Sequence, residues 1–197
     1  MKNYKTISSE YKAELIIKKS KFIAISGQVS SVEEANNFLL KLKNLHPQAT
    51  HICYAYIMPS IEKCGDDGEP SGTAGLPILN VIKRNNLTNI IVAVVRYFGG
   101  VKLGAGGLIR AYSKAAKDSI IDDNIVDYIV KETYQFNVGY DDNNILAMLE
   151  NQSFIEVVKV NYADKIEVTV SVEPKDILKL QEFLNGIFNR QIELIKM

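Results

Sequence analysis

Cysteine is scarce, with only Cys53 and Cys64 among 197 residues. Two cysteines build no disulfide framework. They form no CxxC pair either, and with His51 they supply three zinc ligands at most, where a structural site uses four. Long apolar runs are absent as well. Ile90–Val95 is far too short to span a bilayer. The start, Met1-Lys2-Asn3-Tyr4-Lys5, has no secretory apolar stretch. These absences lead to the expectation of a cytoplasmic protein with no membrane association. Internal repeats, low-complexity tracts and proline-rich linkers are also missing. Net charge is zero, which argues against a chain dominated throughout by nucleic-acid binding. A 47% hydrophobic and 23% charged composition is that of a globular protein, with apolar mass for two small cores.

The charge is unevenly placed. Residues 1–128 carry a surplus of four positive charges and residues 129–197 a surplus of four negative ones. Pro70–Lys117 contains no acidic residue, yet holds Lys83, Arg84, Arg96, Lys102, Arg110, Lys114 and Lys117. Two readings stand open: an anion-binding face, or a solvated face balanced by acids elsewhere in the fold.

The hydrophobic periodicity predicts an α+β chain of two domains, 1–127 and 128–197. Tyr11–Ile17 and Lys21–Val29 alternate as paired strands. Val32, Ala35, Phe38, Leu39, Leu42 and Leu45 recur at helical spacing after a Ser30 or Ser31 cap. Thr50–Met58 reads as a strand and Pro59–Gly72 as a polar loop. Thr73–Lys83 reads as a helix capped by Ser71 or Thr73, and Asn89–Val95 as a buried central strand. Phe98–Gly107 is a glycine-rich turn and Leu108–Ile121 a helix. In the second domain, strands at Tyr128–Val138, Ser153–Val160, Lys165–Val172 and Gln191–Ile195 alternate with helices at Asp141–Asn151 and Pro174–Asn185, the latter closed by Gly186. That order is βαββαβ, the ferredoxin-like arrangement.

Two segments suggest chemistry. The first, Gly65–Gly75, places Asp66, Asp67 and Glu69 on a loop of turn formers. Carboxylates suit a hard cation, but EF-hand spacing is absent, and a turn that caps the next helix explains the same residues. No metal and no cofactor are expected. The second, Arg96–Tyr112, runs from a buried strand through Gly99, Gly100, Lys102, Gly104, Gly106 and Gly107 into a helix carrying Arg110 and Lys114. Glycines let backbone amides approach an anion, and a helix amino end favours one. Tight packing of helix on sheet explains the glycines equally well. Ala105-Gly106 after Gly104 excludes a Walker A loop, and Ile109 breaks a dinucleotide fingerprint. Tyr97, Phe98 and Tyr112 interleave with the cations, as in single-strand binders and in half-buried sheets alike. His51 and Cys53 share a strand face, without a third group to complete a nucleophile.

Asp66–Gly75, Val95–Gly100 and Leu103–Tyr112, with Lys19–Ala24 and His51–Tyr56, resemble the signature of the IMPACT/YigZ family in its bacterial two-domain type. The resemblance implies a first domain of the ribosomal protein S-five second-domain type and a ferredoxin-like second domain similar to a late domain of elongation factor G. Both point to RNA or the ribosome as partner, and to regulation of translation. Fold alone fixes no function. The N-terminal module of eukaryotic relatives has no room before Lys19, so its partner is not carried over. The expected function is RNA or ribosome binding through Arg96, Gly99, Gly100, Lys102, Gly104, Gly106, Gly107, Arg110 and Lys114. The acidic second domain would discourage indiscriminate binding or contact a protein partner. The alternative is an enzyme acting on a small phosphorylated or nucleotide substrate, with Asp66, Asp67 or Glu69 holding magnesium or acting as a base.

Overall fold

In the computed structural model, which describes residues 3–142 and 144–197, the chain divides into Tyr4–Tyr128 and a second unit of Asn3 with Ile129–Met197. Met1, Lys2 and Asn143, which the expected first domain and the expected Asp141–Asn151 helix include, lie outside the described residues.

In the first unit, β1 (Tyr4–Ile7) precedes a hairpin of β2 (Tyr11–Ile17) and β3 (Ser20–Gln28). Lys18 and Lys19 make its turn at φ 46° and 67°, the left-handed values a two-residue hairpin turn requires. Helix α1 (Val32–Leu45) starts where expected: Ser31 accepts from the Glu34 amide at 3.1 Å, and Glu33 and Glu34 complement the dipole. Next come β4 (His51–Met58), β5 (Ile61–Gly65), α2 (Gly75–Arg84), β6 (Ile90–Tyr97), α3 (Ala105–Asp118) and β7 (Ile125–Tyr128). Five strands form an antiparallel sheet ordered β2-β3-β6-β4-β5, while β1 pairs with β7.

The central strand β6 explains the layering. Side chains alternate across a sheet. Ile90, Val92 and Val94 join the core under α2 and α3, and Ile91, Ala93 and Val95 join the core under α1. A strand buried on both faces has no polar side, hence its continuous apolar run. Fully burying a residue such as Val94 stabilises the unit by roughly 1.5–3 kcal/mol.

The structure corrects several expected elements. Pro59–Gly72 is not all loop, because Ile61–Gly65 pairs with β4 at the sheet edge. An exposed edge strand needs no apolar face, so Glu62 and Lys63 concealed it. Helix α3 begins at Ala105, three residues before the expected Leu108, so Gly106 and Gly107 are helical.

In the second unit the order is β8 (Glu132–Val138), α4 (Ile145–Glu150), β9 (Ile155–Tyr162), β10 (Ile166–Val172), α5 (Ile177–Phe188) and β11 (Ile195–Lys196). The antiparallel sheet is ordered β11-β8-β10-β9. Strand β10 alternates regularly, with Ile166, Val168, Val170 and Val172 inward against Leu180 and Leu184 of α5. Gly186 does not close α5. The helix continues through Phe188 and ends on Asn189 at φ 50°, a left-handed value asparagine tolerates. Among the described residues, no helix is long and apolar enough to cross a membrane.

Candidate functional site

Strand parity places Arg96 on the same face of β6 as Val92 and Val94, pointing under α2 and α3. Its side chain is 5% exposed. Such a cation needs a partner, and Glu69 of the acidic loop provides it, accepting from Arg96 Nη1. The same Glu69 Oε1 accepts from the Tyr112 hydroxyl at 2.7 Å. Arg96 Nη2 reaches Ser20 Oγ at 3.4 Å, and its Nε has no partner. The guanidinium also lies 5.3 Å from the Phe22 ring centroid and 5.5 Å from that of Phe98. Arg96 is therefore a buried, paired cation and no open phosphate contact.

The other loop carboxylates serve the backbone. Asp66 accepts from the amides of Gly72, Ala74 and Gly75 at 2.8, 3.0 and 2.8 Å. It thus caps α2 from outside, where Ser71 or Thr73 was expected; Thr73 instead donates to the Pro70 carbonyl. Burial alone would raise the Asp66 pKa, but these three amides outweigh it and hold the carboxyl below its ordinary value. Asp67 accepts from the Ile52 amide at 2.6 Å. The three carboxylates hold three separate structural positions. Among the described residues no cluster of His, Cys, Asp or Glu is arranged to hold a metal.

His51 lies directly opposite Arg96 in the β4–β6 register. Its Nδ1 sits 2.8 Å from the Asp67 carbonyl oxygen. A carbonyl only accepts, so Nδ1 carries the proton and a neutral ring presents Nε2 as an acceptor. Nε2 is 3.9 Å from Glu69 Oε1. Cys53, two residues further along β4, is wholly buried. Burial pushes its thiol up to about 12, which removes it as a nucleophile. Burial likewise pushes the Tyr112 hydroxyl far above its ordinary value.

The glycine turn separates into parts. A Cβ on Gly99 would lie 2.0 Å from the Lys19 carbonyl carbon, so this glycine permits close approach of the backbone to the β2–β3 turn. Gly100 and Gly104 have φ of 82° and 74°, turning the chain into α3. A Cβ on Gly107 would meet the Leu103 side chain at 3.0 Å, and one on Gly106 would lie 3.6 Å from Arg110 Nη1. No side chain caps the amino end of α3. Between this end and the acidic loop lies a cavity of about 430 Å³, whose lining includes His51, Glu69, Arg96, Phe98, Lys102 and Leu108.

The remaining sequence-predicted cations occupy a different place. Leu108, Ala111, Tyr112, Ala115 and Ala116 bury one stripe of α3. Arg110, Lys114 and Lys117 recur on the other side and line an open groove with Arg84 of α2. Lys114 bonds Asp118 at 2.9 Å, the one acidic side chain lining the groove. The candidate residues thus fall in two places, the cavity at the amino end of α3 and the groove along its outer face. The Glu69–Arg96–Tyr112 network was not among the expectations. Strand parity is its signal in the sequence, since a cation in step with Val92 and Val94 on a buried strand is buried too.

Residues 18–120 match the family model described as the Impact N-terminal domain. The IMPACT family member YvyE of Bacillus subtilis is 35% identical over 198 residues, covering 98% of this chain and 90% of that protein. The IMPACT family member YigZ of Escherichia coli is 38% identical over 109 residues, 53% of each chain. A crystal structure of a protein described as hypothetical superposes with a TM-score of 0.75 at 25% identity, covering 100% of this chain and 98% of that one.

Proposed function

The chain belongs to the IMPACT family, and on that footing we propose that it binds RNA or the ribosome through the sugar-phosphate backbone and acts in the regulation of translation. The observation that carries this reading is the groove in which α2 and α3 gather Arg84, Arg110, Lys114 and Lys117. Arginine and lysine side chains on one face neutralise successive phosphates and release counterions, giving affinity that is salt-dependent and largely blind to sequence. Lys102, exposed in the turn, extends the positive surface of this unit toward the amino end of α3. Of the residues first singled out, Lys102, Arg110 and Lys114 act as phosphate contacts, with amides at Gly104 and Gly106 beside them. Gly99 and Gly100 shape the turn, and Gly107 lies within α3. Arg84 and Lys117 join the set.

The first unit is read as the ribosomal protein S-five second-domain type and the second as ferredoxin-like, both compatible with a ribosomal setting. The net negative charge of residues 129–197 suits a protein partner and discourages indiscriminate RNA binding there.

The test is binding of a fluorescent mixed-sequence single-stranded RNA across a salt series. With about five phosphates neutralised, log K should fall with a slope of about −3.5 against log salt. An Arg110→Ala/Lys114→Ala/Lys117→Ala variant should bind far more weakly and with a flatter slope. No binding by the unaltered protein at low salt would remove this reading.

A further inference from the structure

The cavity between the acidic loop and the amino end of α3 stands apart from the basic groove in its chemistry. Its lining is mainly apolar, with Pro70, Leu103 and Leu108 as walls. Phe98 is 47% exposed and lines the cavity, with the Arg96 guanidinium 5.5 Å from its ring centroid. The polar groups fall into two sets. One set is cationic: Lys102, with no hydrogen bond or ion pair to described residues, and the uncapped amino end of α3. The other set consists of His51, held by Asp67 so that Nε2 is free of that bond, and the Thr50 hydroxyl, which accepts from the Phe98 amide at 3.0 Å and keeps its own proton to donate.

A second observation points to a ligand. Arg96 lines this cavity with a side chain 5% exposed, and its Nε has no acceptor. Buried donors are normally satisfied by protein, water or ligand. The guanidinium is held by Glu69 and Ser20 and lies near Phe98, and its orphaned Nε leaves the cavity wall one donor short of an acceptor.

We propose that this cavity binds a single nucleotide unit, its base against Phe98 and its phosphate at the amino end of α3 beside Lys102. An apolar cleft with a few convergent polar groups is the usual form of a small-ligand site, and about 430 Å³ falls within its usual size range. The paired Arg96 and Glu69 cancel, leaving Lys102 and the helix end to balance one phosphate. A polyphosphate with magnesium fits poorly, because Asp66 and Asp67 already hold backbone amides. His51 and Thr50 then face the polar edge of the base or the ribose hydroxyls. The nucleotide comes either free or as the 5′-phosphorylated end of an RNA strand. Both present the same chemistry. The site shares Lys102 and the amino end of α3 with the proposed RNA surface but uses none of Arg84, Arg110, Lys114 and Lys117, so it does not rest on the groove.

The test is calorimetric titration of the full chain with adenosine, guanosine, cytidine and uridine 5′-monophosphates, and with the four unphosphorylated nucleosides. At least one monophosphate should bind with one-to-one stoichiometry, and its nucleoside at least about tenfold more weakly. Phe98→Ala and Lys102→Ala, both at exposed side chains, should each weaken binding about tenfold while the circular dichroism spectrum is kept. Arg110→Ala/Lys114→Ala should leave mononucleotide affinity unchanged. A 5′-phosphorylated hexanucleotide that competes where its 5′-hydroxyl counterpart does not assigns the site to an RNA end. Failure of both to compete assigns it to the free mononucleotide. No heat from any monophosphate up to about 5 mM, or binding that survives both single variants unchanged, overturns the proposal. A protein that fails the RNA salt series yet binds a monophosphate loses the groove reading and keeps this one. The converse result does the opposite.

Discussion

Arg96 and Glu69, 27 residues apart in sequence, form an ion pair whose side chains are 5% and 3% exposed. The pair ties the central strand β6 to the acidic loop, and Tyr112 of α3 donates to the same carboxylate oxygen. Strand, loop and helix therefore meet at one oxygen, and the cavity opens beside it.

Breaking that pair from one side leaves a buried charge unpartnered, which costs about 3–5 kcal/mol. Arg96→Met and Glu69→Leu should each destabilise the protein by that order in urea denaturation. The double variant should lose much less than the sum, because it buries no charge at all. A loss below about 1 kcal/mol for Arg96→Met would show that the pair is not held in a low-dielectric place.

Gly99 and Gly100 are neighbours with opposite requirements. A Cβ on Gly99 would strike Lys19 backbone at 2.0 Å, whereas one on Gly100 meets nothing within 4 Å but sits at φ 82°. Gly100→Ala should cost about 1–2 kcal/mol of left-handed strain. Gly99→Ala should cost upward of about 4 kcal/mol, since the Lys19 backbone in the β2–β3 turn cannot move aside without disturbing that hairpin. Thermal melts of the two variants decide this. Equal losses would refute the close approach.

Asp66 holds α2 by three amides, and an asparagine has one acceptor oxygen and a misplaced amide donor. Asp66→Asn should therefore cost about 1–3 kcal/mol at neutral pH. The folded carboxyl titrates below its ordinary 3.8. Below pH 3.8 the unfolded chain takes up the proton first, so stability present above that pH is lost as pH falls through the depressed folded value. The stability gap between the original protein and Asp66→Asn should narrow as pH drops below 3.8. A gap constant down to pH 2 would mean the carboxylate is not what the amides bind.

Much of the fold was legible because burial leaves a period. Helix α1 runs over the span its apolar stripe predicts, with its serine cap, and the apolar run of β6 announced a doubly covered strand. The βαββαβ order of the second unit followed from alternating segments separated by turn residues. What stayed hidden depends on partners distant in sequence. Strand β5 is polar and exposed, and only its pairing to β4 makes it a strand. The partners β1 and β7 lie over a hundred residues apart, joined at Tyr4 and Tyr128. At the site, composition showed seven cations without an acid in Pro70–Lys117, but Glu69 stands one residue before that window and neutralises Arg96. A linear count cannot see across a sheet. The groove of Arg84, Arg110, Lys114 and Lys117 needed two helices to be set side by side.

The two thiols offer a direct reading of how firmly this unit is closed. Cys53 is buried under α3, donating to the Asp66 carbonyl at 2.9 Å, and burial lifts its thiol to about 12. Cys64 is exposed on the edge strand β5, and its thiol is raised by burial of the sulfur and by the neighbouring Asp66 and Glu62 charges. Only the thiolate reacts with a disulfide reagent, so both thiols are slowed, but access separates them. A native protein treated with an aromatic disulfide reagent should release one equivalent of chromophore, slowly and faster at higher pH, and a second only in denaturant. Cys64→Ser should abolish the native equivalent and Cys53→Ser should leave it. Because Cys53 reaches solvent only when the acidic loop or α3 lifts, its residual rate measures that opening directly. Rapid labelling of both thiols without denaturant would mean that the loop carrying Asp66 and Glu69 opens readily. The Glu69–Arg96 pair would then be an exposed one of small energetic value.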